Sequence, residues 1–202
     1  MKSILKIGFV FITLAIFFPG PAVSAETGSG ASSEDAAKAF QLSLWQPVQL
    51  FKPEASIQGF RLNLLYGMNR NVGGLDIGLG NKVTENLEGF QFGLLNFVDG
   101  NQAGWQNGIV NSVKGQSAGI QTGLYNAVDE LKGVQIGLLN NVEKQAKAFQ
   151  LGLINHAGKI SGLQIGLLYN SADSLTGIQI GLLNFTWARE PVRFFPFVNA
   201  NF

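Results

Sequence analysis

The chain of 202 residues has no cysteine, one histidine (His156) and two methionines, and charged residues make up only 13% of it. Each scarcity removes a class of answers. Without Cys there is no disulfide framework and no thiol nucleophile, so stability must come from packing alone. With a single His and no Cys, a zinc site of His and Cys ligands cannot be assembled, and the lone His156, beside Asn155 in a unit corner, reads as a structural or solvated residue. Basic and acidic residues nearly cancel, to a net charge of +1, and the few Lys and Arg are spread along the chain. Nucleic acid as a partner would need them clustered. The carboxylates Asp99, Asp129, Glu130, Glu143 and Asp173 occupy turn-like stretches at varying positions, as a solvated rim does, whereas a cation ladder needs fixed spacing. Gly73-Gly74 lacks the Lys-Ser/Thr of a phosphate loop. The inventory reads as a non-enzymatic protein with no catalytic residue, no metal and no cofactor.

What the chain has instead is glycine, 26 residues of it, and 46% apolar residues arranged with a period. From about residue 57 to residue 186 one phrase, Gly-φ-Gln-φ-Gly-φ-x-Asn with φ apolar, recurs nine times. Its first φ falls at Phe60, Leu75, Phe90, Trp105, Ile120, Val134, Phe149, Leu163 and Ile178, in steps of 14 or 15 residues. Such even spacing means that each unit buries its apolar side only by stacking on its neighbours. Within a unit Val134, Ile136 and Leu138 alternate with Gln135 and Gly137, a period of two that reads as strand and that no helix can hold on one face. The alternation assigns the φ residues, and the aromatics Phe60, Phe90, Trp105 and Phe149 among them, to the core. It assigns the Gln and Gly columns to the outside, where the Gln column would form an amide ladder able to bind a repetitive polymer.

Two architectures fit strand-length units: a parallel β-solenoid with coils of about 15 residues, and an up-and-down β-barrel of the outer-membrane type. The period favours the solenoid. In an antiparallel meander equivalence returns every second strand and the turns at the two ends differ, whereas here the repeat is one strand long and the turns show no long-short alternation. The column Asn81, Asn96, Asn111, Asn126, Asn140, Asn155 and Asn184 adds a second argument. An amide facing lipid costs several kcal/mol if unpaired, but stacked inside a coil corner it can pair with the Asn above and with turn backbone, as a structural ladder. The unit of Leu163 carries Tyr169 in that place and Asn170 one residue later, so one residue should bulge there. The first unit is irregular too, with Arg61 and Asn63 where later units have Gln and Gly, and Asp76 replaces Gln in the second.

Residues 1–25 have the layout of a secretory signal peptide. Lys2 and Lys6 precede an apolar run from Ile7 to Phe18, and Val23-Ser24-Ala25 offers a small-residue cleavage site. The run is shorter than the ~20 residues a spanning helix needs. Residues 26–38 are mostly small and polar and read as a flexible lead-in. Residues 39–202 then form the β-repeat domain, with capping strands at 39–56 and 191–202 marked by Pro47 and Pro196, since Pro belongs on an edge.

At Gly133-Val-Gln-Ile-Gly-Leu-Leu-Asn140 and Gly162-Leu-Gln-Ile-Gly-Leu-Leu168 the chain resembles a bacterial family of surface-repeat-containing proteins, known by runs of G-L-Q-I-G-L-x-N. Gly59–Gly67 and Phe195-Pro-Phe-Val-Asn199 are similar to that family's opening and closing segments. The resemblance implies an exported, envelope-associated protein and brings no defined activity or site residue with it. The expectation is therefore an exported structural or binding repeat module at the bacterial cell envelope, in the periplasm, the outer membrane or at the surface. Its partner would be an envelope polymer or a lipid. The alternative is a small outer-membrane barrel acting as pore or anchor, which the aromatic-rich C-terminal strand ending at Phe202 suits.

Overall fold

The structure, a computed structural model, describes residues 36–202; the expected leader and the lead-in up to residue 35 lie outside the described residues. The described residues form eight strands: β1 (Lys38–Trp45), β2 (Val48–Gln49), β3 (Ile57–Asn69), β4 (Val72–Val83), β5 (Leu87–Phe92), β6 (Leu95–Val98), β7 (Gln102–Thr186) and β8 (Phe194–Asn201). The 85 residues of β7 are one extended run that winds through successive coils without leaving the sheet. No helix among the described residues is long and apolar enough to cross a membrane.

Register follows the repeat. Phe60 pairs with Leu75, Leu75 with Phe90 and Phe90 with Trp105, all parallel, while Asn81 pairs with Asn96 and Asn96 with Asn111. Within β7 the same stacking continues, with Gln135 donating to Gln121 at 2.8 Å and Gln150 donating to Gln135 at 2.9 Å. Like lies over like with neighbours running the same way, so the chain is a parallel β-solenoid. The barrel alternative is thereby corrected, because a meander would pair opposite ends of successive strands antiparallel.

Antiparallel pairing occurs only at the two ends of the described stack. β1 adds to β3 in parallel and β2 folds back on β1; at the other end β8 runs antiparallel along the last coil of β7. Both segments cover an edge that would otherwise present a row of unpaired backbone groups.

The expected inside and outside of the coil are reversed. Gln135 and Asn140 are buried, whereas Ile136 and Leu138 are 40% and 46% exposed, and Phe90, assigned to the core by its alternation, is 51% exposed. The interior holds four columns, represented in one coil by Leu131, Gln135, Asn140 and Val142, all buried. Leu131 and Val142 belong to a conventional apolar core that runs from Ile57 to Leu175 beneath the polar turns. Gln135 and Asn140 fill the other half of the cross-section.

Parity explains the reversal. Gln135 and Asn140 are five residues apart and would face opposite sides of a straight strand. The corner at Gly137-Leu138-Leu139 absorbs the phase change, so both amides turn inward and both flanking sets of apolar side chains turn out. Gly137 is required at this corner: a Cβ there would lie 2.3 Å from the Gly123 carbonyl oxygen and 2.6 Å from Asn126 Nδ2. The glycine column that the alternation placed outside as a bend is the space the Asn ladder needs. At the other corner Gly133, with φ +148°, would place a Cβ 2.0 Å from the Gly119 carbonyl oxygen, a conformation and a contact that only glycine permits.

Candidate functional site: an apolar outer wall on an amide core

The amide core is what lets the wall exist. Each Asn donates one N–H to the Asn of the next coil, from Asn81 to Asn96 at 2.9 Å, Asn96 to Asn111 and Asn111 to Asn126 at 2.8 Å, Asn126 to Asn140 at 2.9 Å and Asn140 to Asn155 at 2.8 Å. Asn155 then donates to Asn170, and Asn170 to Asn184, so Asn170 fills the column despite its extra residue. The second N–H goes to a backbone carbonyl of the next coil, as from Asn140 to Leu151 O and from Asn155 to Ile165 O, both at 2.9 Å. A buried amide without partners costs several kcal/mol. Here both donors and the carbonyl oxygen are engaged, and the cost is offset.

The Gln ladder runs with opposite polarity. Gln179, Gln164, Gln150, Gln135, Gln121 and Gln106 each donate to the Gln of the preceding coil at 2.7–2.9 Å, while Asn199 of β8 donates to Gln179 at 2.7 Å and closes the C-terminal end. A chain of donors aimed at the N-terminus must finish on a group that only accepts. Gln91 donates to the Asp76 carboxylate at 2.8 Å, and Arg61, which only donates, neutralises it through two bonds of 2.7 and 2.6 Å. Both partners are fully buried. The two departures from Gln at this position are therefore the ladder's terminator.

Asn63 and Gly67 are a second exchange of the same kind. Gly67 stands opposite Asn81 in register, where the Asn column should be, and Asn63 stands at the corner-glycine position. The Asn63 side chain occupies the space over Gly67 and donates to Asn81 at 2.8 Å. The ladder thus starts from a neighbouring backbone position. Opposite charges in one column of adjacent units, and an Asn/Gly swap within one unit, were the sequence signals for these pairs.

Outside this core the φ columns make a continuous wall. Between Leu64 and Leu183 seventeen Leu and Ile residues are at least one-third exposed, Leu167 reaching 65%. A shallow, open apolar depression of about 720 Å³ crosses the middle coils, lined by Gly108, Gly123, Gly137 and Gly152 and by Ile136, Leu138 and Leu151 among others. Soluble monomers rarely expose an apolar patch beyond a few hundred Å². One polar spot interrupts the wall: the Thr122 hydroxyl accepts from Asn107 Nδ2 at 2.6 Å and from Trp105 Nε1 at 2.9 Å.

Apart from the buried Arg61–Asp76 pair, the charged residues lie outside the φ columns. Asp99 lies 2.5 Å from Lys82 and 2.9 Å from Lys114, and Lys144 lies 2.7 Å from Asp129. Partial burial works to raise the Asp99 carboxyl, and the two ammonium groups outweigh it, so its pKa sits below the usual range. His156 contacts Ser171 Oγ at 2.8 Å; burial pushes its imidazole pKa down against the pull of Asp173. Among the described residues no group of three or more His, Asp or Glu lies close enough to hold a metal ion.

The expected outer Gln face, offered as a polymer-binding surface, is closed: from Gln91 to Gln179 that column is fully buried. The surface available to a partner is the apolar wall. Compared with family models, with curated proteins and with solved structures, the chain matches none.

Proposed function

We propose that the protein is an exported, non-enzymatic structural or binding module of the bacterial cell envelope, and that the apolar wall is its working surface. The observation that carries this reading is the wall itself: apolar columns held outward at each coil by a satisfied amide interior. Folding alone does not need them there, because the buried columns of Leu131 and Val142 already supply a core. Surface of this kind is retained where something covers it. The leader-like layout of residues 1–25 and the resemblance to envelope repeat proteins supply the compartment.

The test is fractionation of an epitope-tagged chain in a bacterial host. The chain should leave the cytoplasm and be retained with the envelope, and Leu124→Asp with Leu138→Asp should be exported and folded yet released from it. Cytoplasmic residence of the native chain, or retention indifferent to the wall substitutions, would refute the proposal.

A further inference from the structure

We infer that the wall is covered by a second copy of this chain, packed face to face about a two-fold axis that passes through the Asn107–Thr122 spot. This rests on the wall being a working surface and not on the compartment assigned above. Three observations single out the occupant.

The first is area. Seventeen half-exposed Leu and Ile side chains, at roughly 80 Å² each, present on the order of 1,000 Å², and a stable dimer covers about 800 Å² on each partner. The wall is therefore sufficient by itself.

The second is repeat. Its ridges recur once per coil along the rod, by about 4.8 Å as parallel strands do, so a surface that meshes with it over its whole length should share that spacing. A second copy does so by construction, and a two-fold makes the patch its own complement.

The third is the polar spot. Asn107 is exposed and sits in the fourth of nine repeat units, with Thr122 in the fifth, near the middle of the stack. A hydrocarbon leaflet would leave the rest of that amide unpaired. A two-fold through it brings each Asn107 and Thr122 against those of the partner, where the exposed amide oxygen can accept and the register is fixed, as a single buried Asn fixes the register of a coiled coil. Superposition about that point also overlaps nearly the full wall of both rods.

Sedimentation equilibrium of the purified protein without detergent tests this. The expected mass is twice that of one chain at micromolar concentration. Ile136→Glu with Leu151→Glu should halve it while leaving the far-UV circular dichroism unchanged, and the milder Leu151→Asn should raise the dissociation constant at least ten-fold if the double variant misfolds. Asn107→Leu should still associate but as a mixture of masses. A monomer at 100-fold higher concentration, a mass insensitive to the wall substitutions, or a single sharp dimer for Asn107→Leu would overturn the inference. Wall-dependent flotation of monomer with phosphatidylethanolamine/phosphatidylglycerol vesicles would also overturn it, while leaving the working-surface reading in place.

Discussion

Reversing the chemistry of two residues in one coil tests the inside-out arrangement directly. Asn140→Leu keeps the branched shape of the side chain, so it opens no cavity, but it deletes the donors to Leu151 O and Asn155 Oδ1 and the acceptor for Asn126 Nδ2. The Asn126 N–H and the Asn155 carbonyl oxygen each lose a partner in a buried ladder, at about 1–3 kcal/mol apiece. Burial of the new methyl groups returns about 1.5–3 kcal/mol, leaving a net loss of about 2 kcal/mol. Leu138→Asn, two residues away, changes a side chain that is nearly half exposed and should stay within about 0.5 kcal/mol. Urea unfolding followed by tryptophan fluorescence at sub-micromolar protein, where self-association contributes little, reads both. With a slope of ~1–3 kcal/mol/M, the Asn140 variant should lose about 1 M in midpoint and the Leu138 variant almost nothing. A larger loss for Leu138→Asn would mean that the apolar columns are the core after all, where such a change costs several kcal/mol, and the amide-core reasoning would fail.

The ladder terminator predicts strong coupling. Asp76→Asn leaves the Arg61 guanidinium buried without its counter-charge and should cost about 3–5 kcal/mol, whereas Arg61→Gln with Asp76→Gln extends the Gln column and should recover most of that loss in a double-mutant cycle; additive losses would refute it. For His156, whose pKa is lowered from 6.5 by burial, protonation favours the unfolded chain. Its contribution is complete above the unfolded value and is lost as pH falls through that value toward the folded one. His156→Gln should therefore flatten the decline of stability as pH falls below about 6.5, and an unchanged slope would exclude the imidazole as its source.

The period was legible because it is written in identical residues: a one-strand repeat of 14 or 15 residues gives equivalent positions only if every coil runs the same way. The same logic made the Asn column readable, since an amide recurring at one place in nearly every unit needs an identical neighbour to satisfy it. Arg61, Asp76, Asn63 and Gly67 were visible as irregularities, but their meaning depended on who stands above whom. That Asp76 ends a Gln ladder follows only when Gln91 is seen to donate toward the N-terminus.

Which face points inward was not written in the alternation. A period of two separates residues into two sets and leaves open which set is enclosed, and hydrophobicity normally decides. Here backbone geometry decided. The corner at Gly137 and its equivalents closes so tightly that a Cβ on the glycine would meet the preceding glycine's carbonyl oxygen and the stacked Asn side chain, the five-residue offset from Gln135 to Asn140 is spent in that corner, and both amide columns are drawn in together. Sequence alone determined a parallel coil with stacked amides; tertiary closure at the glycine corner placed those amides inside and the leucines outside, because there each Asn finds its partners in the neighbouring coils.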